Sequence, residues 1–183
     1  MNFSETNLQD CLRIKLERRG DERGFFARFF CLQEFSDAGY PIEIKQANDS
    51  LSAEKGTLRG MHYQIGDASE TKIIRCLKGA IFDVVLDLRP NSRTYLKWEG
   101  FHLDAENRDM VRVPRGCAHG FLTLEADTEV FYLVDNDYSP GNERGVRWND
   151  PSFNIVWPIL PKVISDKDNS WANFDPEKLS QVE

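Results

Sequence analysis

The chain has no run of eighteen apolar residues, and its first two dozen residues, MNFSETNLQDCLRIKLERRGDERG, hold no apolar stretch of the export-signal kind. No membrane span and no exported destination are expected. Cysteine is scarce: Cys11, Cys31, Cys76 and Cys117 are the only four, and no two form a C-x-x-C pair. That removes the usual zinc and redox spacings and predicts reduced thiols in a cytoplasmic protein. Positive charge is also short, with 23 Lys and Arg against 30 Asp and Glu and a formal net charge of −7. A surface of that sign does not displace counterions from a phosphate backbone, so nucleic acid is not an expected partner. A small anionic ligand stays compatible, because a few placed Arg and Lys make a local positive cleft.

Histidine is limited to His62, His102 and His119. A metal site on a small β-barrel wants two histidines one residue apart, followed by an acid. Here Tyr63-Gln64 follow His62, and the other two histidines are remote in sequence. The set His62, Glu70 and His119 is the one metal arrangement left open, and without the local spacing no metal is expected.

What is present reads as one globular domain over residues 1–183, with 40% hydrophobic and 29% charged residues. Short strands alternate with turns. Leu12 to Leu16, Phe25 to Phe30, Ile42 to Ile44, Thr57 to Gln64, Thr71 to Leu77 and Ala80 to Leu88 read as extended. So do Leu96 to Leu103, Asp109 to Val113, Gly120 to Leu124 and Glu129 to Val134. Lys78-Gly79 reads as a hairpin turn between its flanking strands. Gln33 to Ala38 reads as a helical turn, and Asp175 to Val182 as a short terminal helix. This count and spacing predict an all-β fold, an antiparallel jelly-roll sandwich of the cupin type with short peripheral helices.

Several segments pack reactive side chains together. GTLRGMHYQ places Arg59, a flexible Gly60 and the imidazole of His62 on one strand. Their odd separation would point Arg59 and His62 to opposite faces, unless a bulge at Gly60 turns both into one cavity. PRGCAHGF holds His119 between two glycines, which suits a tight turn or a close approach to a ligand. EVFYLVDNDY puts Tyr132 on the same face as Val130 and Val134, ordinarily a core position. Asp166 and Asp168 in SDKD read by themselves as a solvated charged turn.

Taken in order, DERGFF, QANDSLS, KGTLRGMHYQ, KIIRCLKGAIFDVVLDLR, PRGCAHGF, the Tyr132 segment, RWNDPSFNIVWP and SDKD resemble the dTDP-4-dehydrorhamnose 3,5-epimerases from about Gly20 to Asp168. The resemblance implies a homodimeric cupin-like enzyme without metal or redox cofactor, acting on a nucleoside-diphosphate 4-keto-6-deoxy sugar. By motif, His62 would be the base, Asp168 its partner carboxylate, Tyr132 the acid on the opposite face, and Lys72 the cation beside the enolate. Arg23, Arg59 and His119 would line the diphosphate and sugar cleft. Phe26, Gln46, Asn48, Tyr138 and Glu143 would serve the nucleotide side.

Two positions depart from the family pattern. Arg28 stands where a glutamate is usual, which opens the nucleobase to cytidine or guanosine. Leu133 replaces a common lysine and, by strand parity, points away from Tyr132. The competing activities are epimerisation at C3 alone and a 3,4-ketoisomerase on the same scaffold. A metal-dependent cupin oxygenase and a non-catalytic sugar-nucleotide binding module complete the alternatives.

Overall fold

The computed structural model describes residues 1–176, so the helix expected over Asp175 to Val182 lies, but for its first two residues, outside the described residues. One sheet is built from β1 (Asn2–Glu5), β2 (Leu12–Lys15), β10 (Met110–Val113), β7 (Lys72–Lys78), β12 (Thr128–Val134) and β5 (Gln46–Ser52), paired in that order. The second runs β13 (Glu143–Gly145), β6 (Thr57–Gln64), β11 (Cys117–Thr123), β8 (Ala80–Asp87) and β9 (Trp98–Asp104). A small ribbon pairs β3 (Arg19–Asp21) with β4 (Gly24–Phe26) and joins neither sheet. Pairing is antiparallel throughout, except that β14 (Val163–Ile164) runs parallel to β6. Before residue 176, helix is confined to α1 (Leu32–Asp37), α2 (Asp166–Asn169) and two 3-10 turns. This is the expected jelly-roll sandwich.

Alternation along the strands explains the layering. On β12, Val130, Tyr132 and Val134 face inward, while Phe131 and Leu133 face outward. The outward pair is apolar because the segment from Phe29 to Ile44, including the buried Phe35 of α1, covers that side. Between the sheets, Ile74, Cys76 and Val130 meet Ile81, Val85 and Phe121. A third apolar layer backs the second sheet, where Val84 and Leu86 pack on Phe153, Trp98 and Trp157. Each fully buried aliphatic side chain contributes roughly 1.5–3 kcal/mol, so three such layers fix the spacing of the sheets firmly.

Three local readings need correction. Lys78-Gly79 does not close a hairpin, because β7 and β8 lie in opposite sheets. Gly79 (φ 74°) instead turns the chain from one sheet to the other, and an added Cβ would meet Thr128 Oγ1 at 2.5 Å. Ile42 to Ile44 forms no strand; its isoleucines pack as cover on the outer cluster. The extended run expected over Phe25 to Phe30 shortens to Gly24–Phe26, because it pairs only with Arg19–Asp21. Among the described residues, no helix is long and apolar enough to cross a membrane.

Candidate active site

His62 sits near the end of β6, in register with His119 of β11. Toward Arg59 the register shifts: β11 advances from His119 to Phe121 while β6 retreats from His62 to Arg59. The extra residue on β6 is the bulge that parity required, and it brings Arg59 and His62 into one cavity. Gly60 is needed there on two counts. Its φ is 124°, and an added Cβ would stand 2.5 Å from Gly120 Cα and 2.8 Å from the His119 carbonyl oxygen. The glycines of PRGCAHGF therefore serve strand packing and a turn, and His119 lies inside a strand.

Asp168 was the least promising of the candidates by local chemistry. Ser165 caps the single turn of α2 by accepting a hydrogen bond from the Asp168 N–H at 3.1 Å. That turn delivers the carboxylate beneath β6, where it is only 4% exposed. Oδ1 lies 2.5 Å from His62 Nε2, and Oδ2 accepts from the Gly60 N–H at 3.1 Å. Burial by itself would raise this carboxyl, but the hydrogen bond and charge of His62, with those of Gly60 and Ser165, hold it below its ordinary value. With Nε2 on Asp168, Nδ1 is the imidazole nitrogen left for a ligand.

The opposing sheet supplies the phenol and the ammonium. Tyr132 on β12 pairs with Ile74 and Asn48, and Val134 pairs with Lys72 and Gln46. Tyr132, Lys72, Gln46 and Asn48 therefore share the inner face, while Leu133 packs outward as expected. Burial, and then the charge of Glu70 against the counter-effect of Arg59, pushes the Tyr132 phenol above its ordinary value, so it holds its proton at neutral pH. Arg59 reaches across to this sheet, donating to Ser52 Oγ and the Leu51 carbonyl at 3.1 Å each.

These side chains enclose a cavity of about 740 Å³ lined by Arg59, His62, Lys72, His119, Tyr132 and Asp168. A second cavity of about 380 Å³ shares His62, Lys72 and Tyr132 and adds Gln46, Asn48, Tyr138 and Glu143. Imidazole, ammonium and phenol thus stand where the two lobes meet. On the far wall, Glu143 accepts from Tyr138 at 2.7 Å and from Lys167 at 2.6 Å.

Three expected residues are not brought there within the protomer. Arg23 is bound to Asp21 in an exposed turn, with its side chain 84% accessible, and Phe26 is 67% exposed on the same ribbon. Arg28 binds Glu34 at 3.0 Å in a separate depression beside Met1 and Glu17. The ribbon, which pairs with neither sheet, carries Arg23 and Phe26 away from the cavity, and Arg28 follows two residues beyond it. Nor do His62, Glu70 and His119 gather as a ligand set: each binds a different partner, and no group of three or more His, Cys, Asp or Glu positioned for a metal occurs among the described residues.

Sequence reasoning missed three neighbours, Asp83, Lys167 and Trp171, and offered a fourth, Glu70, only as a metal ligand. Asp83 is fully buried and binds His119 Nε2 at 2.7 Å, and its signal was an acid inside the apolar strand AIFDVVLDL. Glu70 binds Lys72, Lys167 binds Glu143, and Trp171 packs edge-on to His62 with ring centroids 6.4 Å apart. Trp171 lies across Gly145, where an added Cβ would overlap its ring, and nothing local announced that contact.

A jelly roll that sets an imidazole on one sheet, backed by a carboxylate from α2, against a phenol and an ammonium on the other belongs to the cupin-like class, with groups suited to acid–base chemistry. The family model described as dTDP-4-dehydrorhamnose 3,5-epimerase matches residues 5–176. The dTDP-4-dehydrorhamnose 3,5-epimerase of Shigella flexneri is 42% identical over 175 residues, covering 95% of this chain and 96% of that one. The crystal structure of the Bacillus anthracis dTDP-4-dehydrorhamnose 3,5-epimerase with TDP and PPi bound superposes with a TM-score of 0.91 at 40% identity, over 94% of this chain and 99% of that one. A double mutant of ChmJ, a 3'-monoepimerase from Streptomyces bikiniensis in complex with dTDP, gives 0.86 at 29% identity, over 97% and 87%. The chain belongs to the dTDP-4-dehydrorhamnose 3,5-epimerase family and is an enzyme of the isomerase class.

Proposed function

We propose that this single-domain enzyme inverts C3 and C5 of dTDP-4-dehydro-6-deoxy-glucose, giving dTDP-4-dehydrorhamnose, with His62 as base and Tyr132 as acid. The observation that carries this reading is that the two groups come from opposing sheets with the cavity between them. A sugar ring held there meets the imidazole on one face and the phenol on the other. His62 Nδ1 takes the proton beside the C4 ketone, and the electron pair moves onto the C4 oxygen as an enolate. The Lys72 ammonium offsets that charge; removing such a donor costs about 2.7–4 kcal/mol in comparable sites. Tyr132 then gives its proton to the same carbon from the other side. The imidazolium and the phenolate reset by exchange with water, and Asp168 stabilises the imidazolium meanwhile.

Arg59 and His119 suit the sugar and diphosphate, and Gln46, Asn48, Tyr138 and Glu143 suit the nucleotide lobe. The relatives' names favour thymidine. Arg28, at which the sequence opens the nucleobase to others, is engaged with Glu34 outside the cavity within the single protomer. A homodimer fits the ribbon, whose Phe25 and Phe26 are 43% and 67% exposed in one protomer. A cytoplasmic setting fits four free cysteines. Epimerisation at C3 alone is the second reading, favoured by the same fold in a 3'-monoepimerase.

Deuterium incorporation tests these together. Incubation of dTDP-4-dehydro-6-deoxy-glucose in D₂O should place deuterium at two carbons; one carbon indicates the C3 reaction, and none sinks the proposal. Tyr132→Phe should lose about 10²–10⁴-fold in inversion, the usual scale of a general acid. Full turnover in that variant would favour the ketoisomerase, which needs no opposite-face acid.

A further inference from the structure

Glu70 has no part in the chemistry above, yet it is built into the site. It follows the 3-10 turn Gly66–Ala68 and stands two residues before the start of the Lys72 side chain's inward position on β7. In an extended segment, residues two apart share a face. Thr71 between them is pinned the other way, its N–H donating to Asp135 Oδ1 at 2.6 Å. Glu70 Oε1 meets Lys72 Nζ at 2.9 Å, with the two side chains 10% and 14% exposed. Glu70 Oε2 accepts from Gln64 Nε2 at 2.7 Å. Gln64 is itself held on both ends, by the Ala68 and Asp137 carbonyls and by the Ser139 N–H.

We propose that Glu70 is a positioning residue for the acid half of the reaction: its carboxylate fixes the Lys72 ammonium and sets the field in which Tyr132 releases its proton. The inference rests on the roles of Lys72 and Tyr132 proposed above. An ammonium has three donors. One N–H is taken by Glu70, leaving two to meet the oxygen on which the enolate charge develops. The two opposite charges also compensate one another's burial, which an isolated ammonium in this cavity could not do. Near Tyr132 the charges are mixed. The cavity beside it is lined by Arg59 and His62 from β6, Lys72 from β7, His119 from β11 and Asp168 from α2, with Asp49 of β5 at its rim on the outward side of that strand. Tyr138 and Glu143 stand at the far wall. Glu70 lines the same lobe as Tyr132 and Lys72; after burial, its charge opposes phenolate formation and that of Arg59 favours it. Burial is the larger cause, and the Glu70 charge adds to it in holding the phenol protonated until the carbanion draws the proton away.

Two substitutions separate geometry from charge. Glu70→Ala should reduce kcat about tenfold to a hundredfold with KM within about twofold, the mark of an interaction used only in the transition state. Glu70→Gln keeps a carbonyl acceptor for the Lys72 ammonium, turns a donor toward Gln64 Nε2, and removes the charge. It should recover most of kcat while the alkaline limb of the pH profile moves to lower pH. The phenolate absorbance of Tyr132 gives a readout independent of turnover: an alkaline titration of parent and Glu70→Gln, each minus its own Tyr132→Phe counterpart. The Glu70→Gln curve should lie at lower pH. Coincident curves overturn the inference, as does an equal kcat loss in both variants. If instead the parent takes up no deuterium or Tyr132→Phe is fully active, it is the proposed function that fails.

Discussion

Replacing Asp168 by Asn tests the imidazole–carboxylate pair with almost no change of shape. Asp168 is 4% exposed, and both of its oxygens are occupied, by His62 at 2.5 Å and by the Gly60 N–H at 3.1 Å. A carboxamide has one acceptor and one donor end. If its oxygen keeps the Gly60 N–H, its NH₂ must face His62 Nε2. That contact is satisfied only when Nε2 is unprotonated, which places the imidazole proton on Nδ1. The nitrogen directed at substrate then carries a hydrogen where a lone pair is required. The opposite flip points NH₂ at the Gly60 N–H, two donors against each other in a buried place. Either way the charge that would stabilise the imidazolium is gone.

The same wrong-tautomer substitution in a serine-protease triad lowers kcat about 10⁴-fold, so a loss of about 10³–10⁴-fold is expected here. At 1.36 kcal/mol per decade this corresponds to about 4–5.5 kcal/mol in the barrier. KM should change little, because Asp168 lines no part of the second cavity, which is proposed to hold the nucleotide. The assay is the initial rate of deuterium uptake at carbon, followed by proton NMR. Circular dichroism and melting should confirm an intact fold. Uptake within tenfold of the parent would show that His62 does not depend on Asp168, and the base assignment would fall with it.

Two further substitutions probe the scaffold. Gly60→Ala forces a Cβ against Gly120 and the His119 carbonyl at a φ of 124°. Overpacking and backbone strain together should cost about 2–6 kcal/mol, read from urea denaturation; a loss under about 1 kcal/mol would refute the close approach. Asp87 tests acid stability. Burial would raise it, but Arg89, Ser92 and Thr94 outweigh that and lower it from 3.8 to about 2. A folded value below the unfolded one stabilises the fold above about pH 4, and this contribution, about 2.5 kcal/mol, disappears as pH falls toward 2. Asp87→Asn should therefore be much less stable than the parent at pH 7 and closer to it near pH 2; a gap independent of pH would count against the ion pair.

How far the sequence could be read depends on the range of the interaction. Strand positions were legible because alternation is local: Val130, Tyr132 and Val134 share a face in the fold as they do in the pattern. The bulge at Gly60 was legible for a similar reason, since two reactive side chains at odd spacing need one to meet. Lys78-Gly79 was misread because a tight turn has the same residues whether it joins neighbouring strands or opposing sheets. That distinction lies in long-range packing against Thr128. Asp168 is the sharpest case. SDKD has the chemistry of a solvated turn, and only the return of the chain beneath β6 buries it. Motif resemblance supplied what local physics could not. It also placed Arg23, Phe26 and Arg28 in the site, and within one protomer the ribbon takes them elsewhere.

The division of the site between two sheets bears on the reaction more than any single residue does. His62 is held in β6 by pairing to β11 and β13, and Tyr132 in β12 by pairing to β5 and β7. Neither strand can shift without breaking ladders on both sides. The distance between base and acid is therefore set by the apolar layer between the sheets, where Ile74 and Val130 meet Val85 and Phe121. On the proposed reading, inversion follows from that separation, because a single group on one face would return the proton to where it came from. The dyad and the phenol serve C3 and C5 alike, so they do not decide how many centres turn over. On the same reading that choice belongs to how the sugar sits between the lobes, and hence to the residues proposed to hold it, Arg59 and His119 on one side and Gln46 and Asn48 on the other.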